Sequence, residues 1–224
     1  MFNKIAFRYD FLNRFLSGGI DMYWRKRAIR ELLEISPGHI LDVATGTGDV
    51  AILLEKYLHP AHITGIDISE GMLEIGARKL AKLKLNNKIA LQRGDSEAIK
   101  FPDDTFEAVI VAFGVRNFEH LEQGLREMLR VLKPGGKLVV LEFSKPRQSG
   151  FRSIYNFYLK LVAPGIGKMV SKNREAYQYL NESVNAFPEG QAFIEILQET
   201  GYTSTYFKTL SLGICSIYCG KKRL

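Results

Sequence analysis

Short apolar stretches alternate with segments of helical periodicity between residues 36 and 144. The apolar stretches are predicted strands, and in chain order they read HILDVAT, HITGIDI, KIALQRGD, FEAVIVAFG and KLVVLEFS. Helices are predicted after the first, second and fourth of them, over 48–58, 69–83 and 119–132. Several of the strands are apolar at successive positions, which is typical of a parallel sheet covered on both faces. The alternation therefore predicts a doubly wound α/β fold.

The pattern changes after Ser144. Residues 151–187 have helical periodicity, and a last helix is expected over about 189–199. Two closing stretches, TSTYFKTL and GICSIYCGKK, are predicted to pair in antiparallel fashion at the sheet edge. The complete prediction is a seven-stranded, mostly parallel sheet with an antiparallel C-terminal strand, N-terminal helices and a helical insertion before the last two strands.

The net charge of the chain is +7, and the excess is concentrated in one segment. Seven Lys and Arg residues lie between Lys145 and Arg174, where there is no Asp or Glu. This local excess favours contact with an anionic partner or a membrane surface. The chain contains no apolar run of about 18 residues and does not open on a secretory leader pattern, so we expect neither a membrane span nor a leader.

Two cysteines and four histidines give no metal-binding pattern. Cys215 and Cys219 would lie about 13 Å apart in an extended strand, which is too far for a disulfide. We expect them to be core thiols in a reducing compartment, which favours the cytoplasm. No metal is predicted, because the histidines lack the spacing of ligands; they are His39, His59, His62 and His120.

A glycine-rich turn follows the first predicted strand, in the stretch LDVATGTGDVAILL (41–54). Gly46 and Gly48 suit a close approach of the backbone to a ligand, although a simple tight turn uses the same residues. Asp67 follows at about 20 residues, the distance expected in NAD-binding proteins. Asp42 argues against NAD, because a carboxylate beside the loop would repel a pyrophosphate. A ligand with a cationic amino group would instead favour Asp42.

Three acids, Asp42, Asp67 and Asp95, stand at the ends of three successive predicted strands. Ligands of open α/β sheets bind outside the carboxyl ends of the strands, so these acids are expected to line one crevice. S-adenosylmethionine carries a methionine ammonium, a ribose diol and an adenine amino group, which match the three acids. We therefore predict it as the cofactor. Taken singly, each acid could also be a solvated loop residue or a helix N-cap.

This arrangement resembles the class I S-adenosylmethionine-dependent methyltransferases, which have a Rossmann-like fold. Ala44 departs from the glycine often found at its position, but its side chain is small. The resemblance implies the following cofactor contacts: Gly46, Thr47 and Gly48 for the methionine part, Asp67 for the ribose, and Asp95 with Ser96 for the adenine.

Eight stretches spread over nearly the whole chain carry a closer resemblance. They read FRYDFLNRFLSGGID, YWRKRAI, LDVATGTGD, GIDISEGML, FPDDTFEAV, AFGVRN, REMLRVLKPGGKLVVLEFSKP and YQYLNESVNAFP. Together they resemble the ubiquinone/menaquinone-biosynthesis C-methyltransferase family, which methylates a ring carbon of a polyprenylated hydroquinone. The resemblance implies conversion of demethylmenaquinol to menaquinol, the benzoquinol step of ubiquinone synthesis, or both. Ala112 stands where some members have a serine that contributes to the cofactor site.

Catalysis on such a ring requires that the quinol hydroxyl lose proton character, which a neighbouring base or cation favours. Arg116 and Asn117 directly follow the strand FEAVIVAFG, where the crevice opens. We expect Arg116 to stabilise oxyanion charge or orient a water, and Asn117 to donate a hydrogen bond to a quinol oxygen. Tyr9 and Asp10, on the first predicted helix, are further catalytic candidates. In the alternative, Arg116 pairs structurally with an acid and Tyr9 is a core residue.

The isoprenoid tail of the substrate lives in a bilayer, so the enzyme must meet it at the membrane surface. An apolar stripe over 151–162 with basic flanks favours a helix in the interface plane, and packing on its own domain is the alternative. We expect transient membrane contact through 145–174, on the inner face of the cell membrane. The alternative function is methylation of another small molecule or of RNA. The basic segment favours RNA, but no RNA-binding module is visible and we expect no nucleic-acid partner. A homodimer stays open.

One methyltransferase domain is expected over 1–224, in four parts. They are an N-terminal helical lid (1–35), a cofactor-binding core (36–144), a helical insertion that meets substrate and membrane (145–187), and a closing helix with two strands (188–224).

Overall fold

The computed structural model describes residues 19–145 and 182–224. Within these ranges the strands are β1 (His39–Val43), β2 (His62–Asp67), β3 (Ile89–Arg93), β4 (Phe106–Ala112), β5 (Leu132–Phe143), β6 (Thr203–Leu210) and β7 (Cys215–Lys221). The α-helices are α1 (Asp21–Arg30), α2 (Asp49–Leu58), α3 (Glu70–Leu83), α4 (Leu121–Val131) and α5 (Gln191–Glu199), and residues 182–186 are also helical. Residues 1–18 of the proposed N-terminal lid and 146–181 of the basic insertion lie outside the described residues, so the division into four parts stays a prediction.

The seven strands form one sheet in the order β3-β2-β1-β4-β5-β7-β6. All neighbouring pairs from β3 to β5 are parallel, whereas β7 runs antiparallel to both β5 and β6. This confirms the predicted mostly parallel sheet with an antiparallel C-terminal strand. The order reverses between β1 and β4, so the carboxyl ends of β1 to β4 meet at the point where open α/β sheets bind ligands.

Both faces of the sheet are covered, which explains why its strands are apolar at successive positions. Ile110 of β4 packs on one face with side chains of α1 and α2. The adjacent Val109 and Val111 pack on the other face with side chains of α4 and α5. Full burial of a large aliphatic side chain contributes about 1.5–3 kcal/mol, so alternate positions of the strand stabilise different layers.

The start of β5 differs from the sequence expectation. The fifth strand is predicted as KLVVLEFS, which starts at Lys137, but β5 already begins at Leu132. Phe106 faces Leu132 and Ala108 faces Lys137, so two steps along β4 correspond to five along β5. Gly135 provides the left-handed conformation of this bulge, with φ 77°. The residues before Lys137 are therefore absorbed into the strand as an irregularity.

Cys215 and Cys219 are free thiols buried in β7, as predicted. Burial raises the pKa of the Cys219 thiol to about 11, which keeps it protonated and unreactive at neutral pH. Among the helices that the structure describes, none has both the length and the apolar character to cross a bilayer.

Candidate active site

The loop between β1 and α2 changes the chain direction through left-handed backbone. Ala44, Gly46 and Gly48 have φ values of 52°, 58° and 79°. The loop is tied to the next strand, since the Thr45 amide donates to the Ile66 carbonyl over 2.9 Å. Glycine adopts this conformation without strain, whereas Ala44 does so at a cost. The left-handed backbone of the loop therefore explains both predicted glycines, Gly46 and Gly48.

Asp67, at the end of β2, holds this loop from the side. Its Oδ2 accepts a hydrogen bond from the Gly46 amide over 2.8 Å, and its Oδ1 accepts one from the Ser69 amide over 2.9 Å. The carboxylate is half-buried and lines the cavity described below. It is thus fixed in place by backbone donors within reach of a ligand.

Thr47 serves the packing of the loop against α3. Its hydroxyl accepts a hydrogen bond from Lys79 over 2.5 Å, and Lys79 also donates to Asp49 over 2.9 Å. Gly76 of α3 lets the helix approach, because a side chain there would meet the Thr47 carbonyl oxygen at 3.1 Å and Leu91 at 2.5 Å. Thr47 and Gly48 therefore support the loop on the side that packs against α3.

A cavity of about 360 Å³ lies at the carboxyl ends of β1 to β4. Six of the predicted site residues line it: Gly46, Asp67, Asp95, Ser96, Ala112 and Asn117. Four others do not line it in the described part of the chain: Asp42, Thr47, Gly48 and Arg116. The sequence therefore predicted residues that line the cavity, but it also predicted four that lie behind the lining.

Asp42 lies one layer beneath the cavity wall. It is 1% exposed, and its Oδ2 accepts a hydrogen bond from the Thr45 hydroxyl over 2.5 Å. Burial raises the pKa of its carboxyl to about 7, although Thr45 and the charge of Arg25 act in the opposite direction. Thr45 itself lines the cavity, so its hydroxyl lies between Asp42 and the cavity.

Arg116 is fully buried and paired with an acid of β5. Its Nη1 donates to Glu142 Oε1 over 2.6 Å and to the Phe113 carbonyl over 2.8 Å. Both side chains of the Arg116–Glu142 pair have no exposed surface. The short helical turn Val115–Asn117 is held by this pair, and Asn117 at its end lines the cavity. The geometry thus supports the structural pairing left open by the sequence.

Comparison with known proteins identifies the family. The model of the ubiE/COQ5 methyltransferase family matches residues 1–222. The chain belongs to this family. A demethylmenaquinone methyltransferase of Bacteroides fragilis is 45% identical to this chain, over 99% of this chain and 91% of the length of that protein. The ubiquinone/menaquinone biosynthesis C-methyltransferase UbiE of Geobacter sulfurreducens is 47% identical over 100% of this chain and 88% of its own.

The fold agrees with that assignment. A crystal structure of a candidate S-adenosyl-L-methionine-dependent methyltransferase from Methanococcus maripaludis superposes with a TM-score of 0.69 at 21% identity, covering 99% of this chain and 94% of that one. The superposition shows the fold of the chain, and membership of the ubiE/COQ5 family makes it a methyltransferase with S-adenosylmethionine as cofactor.

The cavity of this ubiE/COQ5 member fits that cofactor. Its volume lies in the range of about 300–1,000 Å³ that small-molecule sites have. Gly46 presents backbone instead of a side chain, and the exposed Asp95 and half-buried Asp67 provide acceptors for hydroxyl and amino groups. Ala112 also lines the cavity, so a serine at that position in relatives would face the same space.

The end of the cavity beside Asp95 has a wall that the sequence did not predict. Glu97 lines the cavity and accepts hydrogen bonds from the amides of Glu119 and His120, over 2.7 and 3.0 Å. These contacts join the segment after β3 to the start of α4. The 22 and 23 residues between the partners explain why no local pattern revealed them.

Arg25 and Phe113 are among the other residues of the wall that were not predicted. Phe113 has a left-handed backbone, φ 59°, and its ring packs between Trp24 and Phe143. Bulky residues rarely adopt this conformation, and such strain collects at functional sites. Nothing in a sequence reports a backbone angle, whereas Arg25 stands in the quoted stretch YWRKRAI.

Tyr9 and Asp10 lie outside the described residues, and their catalytic role stays a prediction. Within 19–145 and 182–224, no group of three or more His, Cys, Asp or Glu side chains is arranged to hold a metal ion.

Proposed function

We propose that this chain transfers a methyl group from S-adenosylmethionine to a ring carbon of a polyprenylated hydroquinone. Demethylmenaquinol is the first substrate, and the benzoquinol precursor of ubiquinone is the second. The observation that carries the proposal is the similarity over 99–100% of the chain to proteins named for this chemistry. The cavity supports it, because the cofactor loop and a polar amide, Asn117, line the same space.

The cofactor contacts follow the order of the strands. Asp95 and Ser96, after β3, hold the adenine; Asp67, the last residue of β2, holds the ribose; and the loop at Gly46, after β1, holds the methionine part. When bound, S-adenosylmethionine supplies a methyl group on a positively charged sulfur. The chain contributes position, which accounts for much of the rate in reactions between two bound partners.

Asn117 is the catalytic residue of this proposal within the described ranges. Its amide donates a hydrogen bond to a quinol oxygen, where negative charge gathers as the ring carbon becomes nucleophilic. Arg116 acts as a positioning residue: its bond to Glu142 fixes the turn that presents Asn117. A buried guanidinium bound to a carboxylate has little charge left for the substrate, so direct contact is the weaker assignment.

Tyr9 and Asp10 complete the proposal as the residues that promote loss of the quinol proton. A carboxylate can accept that proton, and a phenol can relay it or orient the quinol. Tyr9→Phe and Asp10→Asn keep the shape of each side chain and remove its ability to accept or relay the proton. We expect both variants to bind the cofactor normally and to lose their dependence of single-turnover rate on pH.

We also propose that residues 145–174 bring the enzyme to the anionic face of a membrane. Near such a surface each Lys or Arg contributes about 1 kcal/mol. Binding to anionic vesicles should be strong, fall as salt rises, and be weak on neutral vesicles. The double variant Lys168→Glu/Lys172→Glu should bind anionic vesicles less, and Lys82→Glu/Lys100→Glu, with the same charge change elsewhere, should lose much less. Equal loss in both variants would show a general charge effect instead.

The function is tested by offering substrates side by side. Methyl-labelled S-adenosylmethionine is incubated with demethylmenaquinol, with the benzoquinol precursor, and with total RNA as a third acceptor. The proposal expects label in the quinols and none in RNA. Label in RNA alone would replace it by the RNA methyltransferase alternative, and transfer to the naphthoquinol alone would restrict it to menaquinone synthesis.

A further inference from the structure

Arg25 is a buried cation in the wall of the cavity. The residue is 8% exposed, and its guanidinium lies 5.3 Å from the centroid of the Phe113 ring. Its Nε is 3.5 Å from Asp21 Oδ2, but within the described residues that nitrogen makes no hydrogen bond. Burial of a charged donor costs free energy unless a partner satisfies it.

The charges around the cavity are unevenly distributed. Of the side chains that line it within 19–145 and 182–224, Arg25 is the only Lys or Arg, whereas four are acids: Asp67, Asp95, Glu97 and Glu119. These acids follow β2 and β3 or precede α4. Arg25 lies instead beside Phe113, just past the end of β4, and its charge also acts on Asp42 beneath the loop. The cationic end and the acidic end of the cavity are therefore different places.

The cofactor has a matching division of charge. Its ribose and adenine carry hydroxyl and amino groups, which suit acids, and its only anionic group is the carboxylate of the methionine part. A planar guanidinium offers paired donors that fit a carboxylate better than an ammonium does. We propose that Arg25 binds the methionine carboxylate of S-adenosylmethionine. This inference rests on the cofactor placement proposed above, with adenine at Asp95 and the methionine part at Gly46.

The same contact orients the amino acid end of the cofactor. With the carboxylate on Arg25, the ammonium group faces Thr45, whose hydroxyl is bonded to Asp42. The carboxylate then meets the guanidinium, and the ammonium donates to the Thr45 hydroxyl, which is itself bonded to Asp42. An amino acid turned the other way would place its ammonium against a guanidinium.

The test compares two ligands on the same proteins by calorimetry: S-adenosylmethionine and its decarboxylated analogue. In Arg25→Met, we expect affinity for S-adenosylmethionine to fall by about 10- to 100-fold, as for loss of a hydrogen bond between charged groups. Affinity for the analogue should change much less, so the ratio of the two affinities drops. Arg30→Met, which changes an exposed arginine of the same helix, should leave the ratio at the wild-type value.

An unchanged ratio in folded Arg25→Met would overturn the inference. If that variant does not fold, Arg25→Lys takes its place, with a smaller drop expected because the charge is kept and the fork is lost; an unchanged ratio there is equally decisive against it. These experiments contain no quinol, so they do not depend on the proposed substrate. Asp67→Ala should weaken both ligands alike, and failure of that result would locate the error in the cofactor placement instead of in Arg25.

Discussion

The two ends of the cavity hold their polar side chains in different ways. At the end of β2 and just after β3, Asp67 and Asp95 accept hydrogen bonds from amides two residues further along, those of Ser69 and Glu97. Their carboxylates stay accessible to a ligand. After β4, Arg116 is bound by Glu142, 26 residues away, and neither side chain has exposed surface.

Because of this difference, we expect one end of the cavity to control affinity for the cofactor and the other to control the geometry of the site. Accessible acids held by backbone amides are placed to meet the cofactor directly, so their removal should weaken binding more than it lowers stability. A buried ion pair cannot meet a ligand, but breaking it leaves an uncompensated charge. We therefore expect changes that break the Arg116–Glu142 pair to reduce stability and turnover while cofactor affinity stays near normal.

The largest effect on affinity is expected at the loop itself. Gly46→Val adds a side chain where the backbone approaches the cofactor, at φ 58°. We expect affinity for S-adenosylmethionine to fall by about 10³-fold or more, equivalent to about 4 kcal/mol. Gly135→Val, at φ 77° in the β5 bulge, introduces similar backbone strain away from the site. Both variants should melt at lower temperature, and only the first should lose calorimetric binding. Normal binding by Gly46→Val would reduce the loop to a turn.

The buried pair provides the next effect. Glu142→Gln should reduce the free energy of unfolding by about 3–5 kcal/mol, because Arg116 keeps a buried charge without its partner. The matched control is Glu122→Gln, since Glu122 and Arg126 have the same 2.6 Å separation on the surface of α4. That change should cost about 0.3–0.5 kcal/mol. Equal effects in chemical denaturation would contradict the importance of burial. Cofactor affinity of folded Glu142→Gln should stay within a few-fold of wild type while its single-turnover rate falls.

Asp67 tests the accessible end. Asp67→Ala should weaken cofactor binding by about 2–4 kcal/mol, because two charge-assisted hydrogen bonds to the ribose are lost. Asp103→Ala, an exposed acid that does not line the cavity, is the control. Wild-type calorimetric affinity in folded Asp67→Ala would refute the ribose contact.

Asn117 tests the substrate end. Asn117→Ala should slow single-turnover methyl transfer by about 10- to 100-fold, somewhat less than loss of an oxyanion donor in other enzymes. Its affinity for S-adenosylmethionine and its melting temperature should stay near the wild-type values. A variant that loses cofactor affinity and keeps its rate would place Asn117 in the cofactor site.

Asp42 is expected to change folding stability with pH, and per pH unit this is the smallest effect. Its pKa is raised from 3.8 to about 7, so the folded state binds this proton more tightly than the unfolded state. Stability from this group is complete below pH 3.8 and declines by up to about 1.4 kcal/mol per pH unit as pH rises to about 7. Asp42→Asn should remove this dependence, which denaturation of both proteins without cofactor from pH 5 to 8 will measure. Parallel curves would show that Asp42 is ionised throughout.

Sequence reasoning was most successful where function follows a strand end directly. Asp67 and Asp95 are the last residue of β2 and the second after β3, so recognition of the strands located them without knowledge of distant contacts. The sheet followed from the same patterns, since apolar strands and intervening helices leave few possible topologies.

It was less successful where position depends on contacts far apart in sequence. The pairing of Arg116 with Glu142, and the wall formed by Glu97 with His120, join residues 23 or more apart. The left-handed backbone of Phe113 leaves no sequence signal. Asp42 also stands near a strand end, but it lies beneath Thr45. Alternation along β1 predicts which face of the sheet a side chain is on, but not how deeply it is buried.

The central claim is transfer of the methyl group to a ring carbon of a quinol in this cavity. Its most direct test is a single-turnover reaction of demethylmenaquinol with ¹³C-methyl S-adenosylmethionine, with the product analysed by NMR. We predict one labelled methyl group bonded to carbon, formed by the wild-type protein and more slowly by Asn117→Ala. Label on a quinol oxygen, or no transfer by protein that binds the cofactor, would contradict the account.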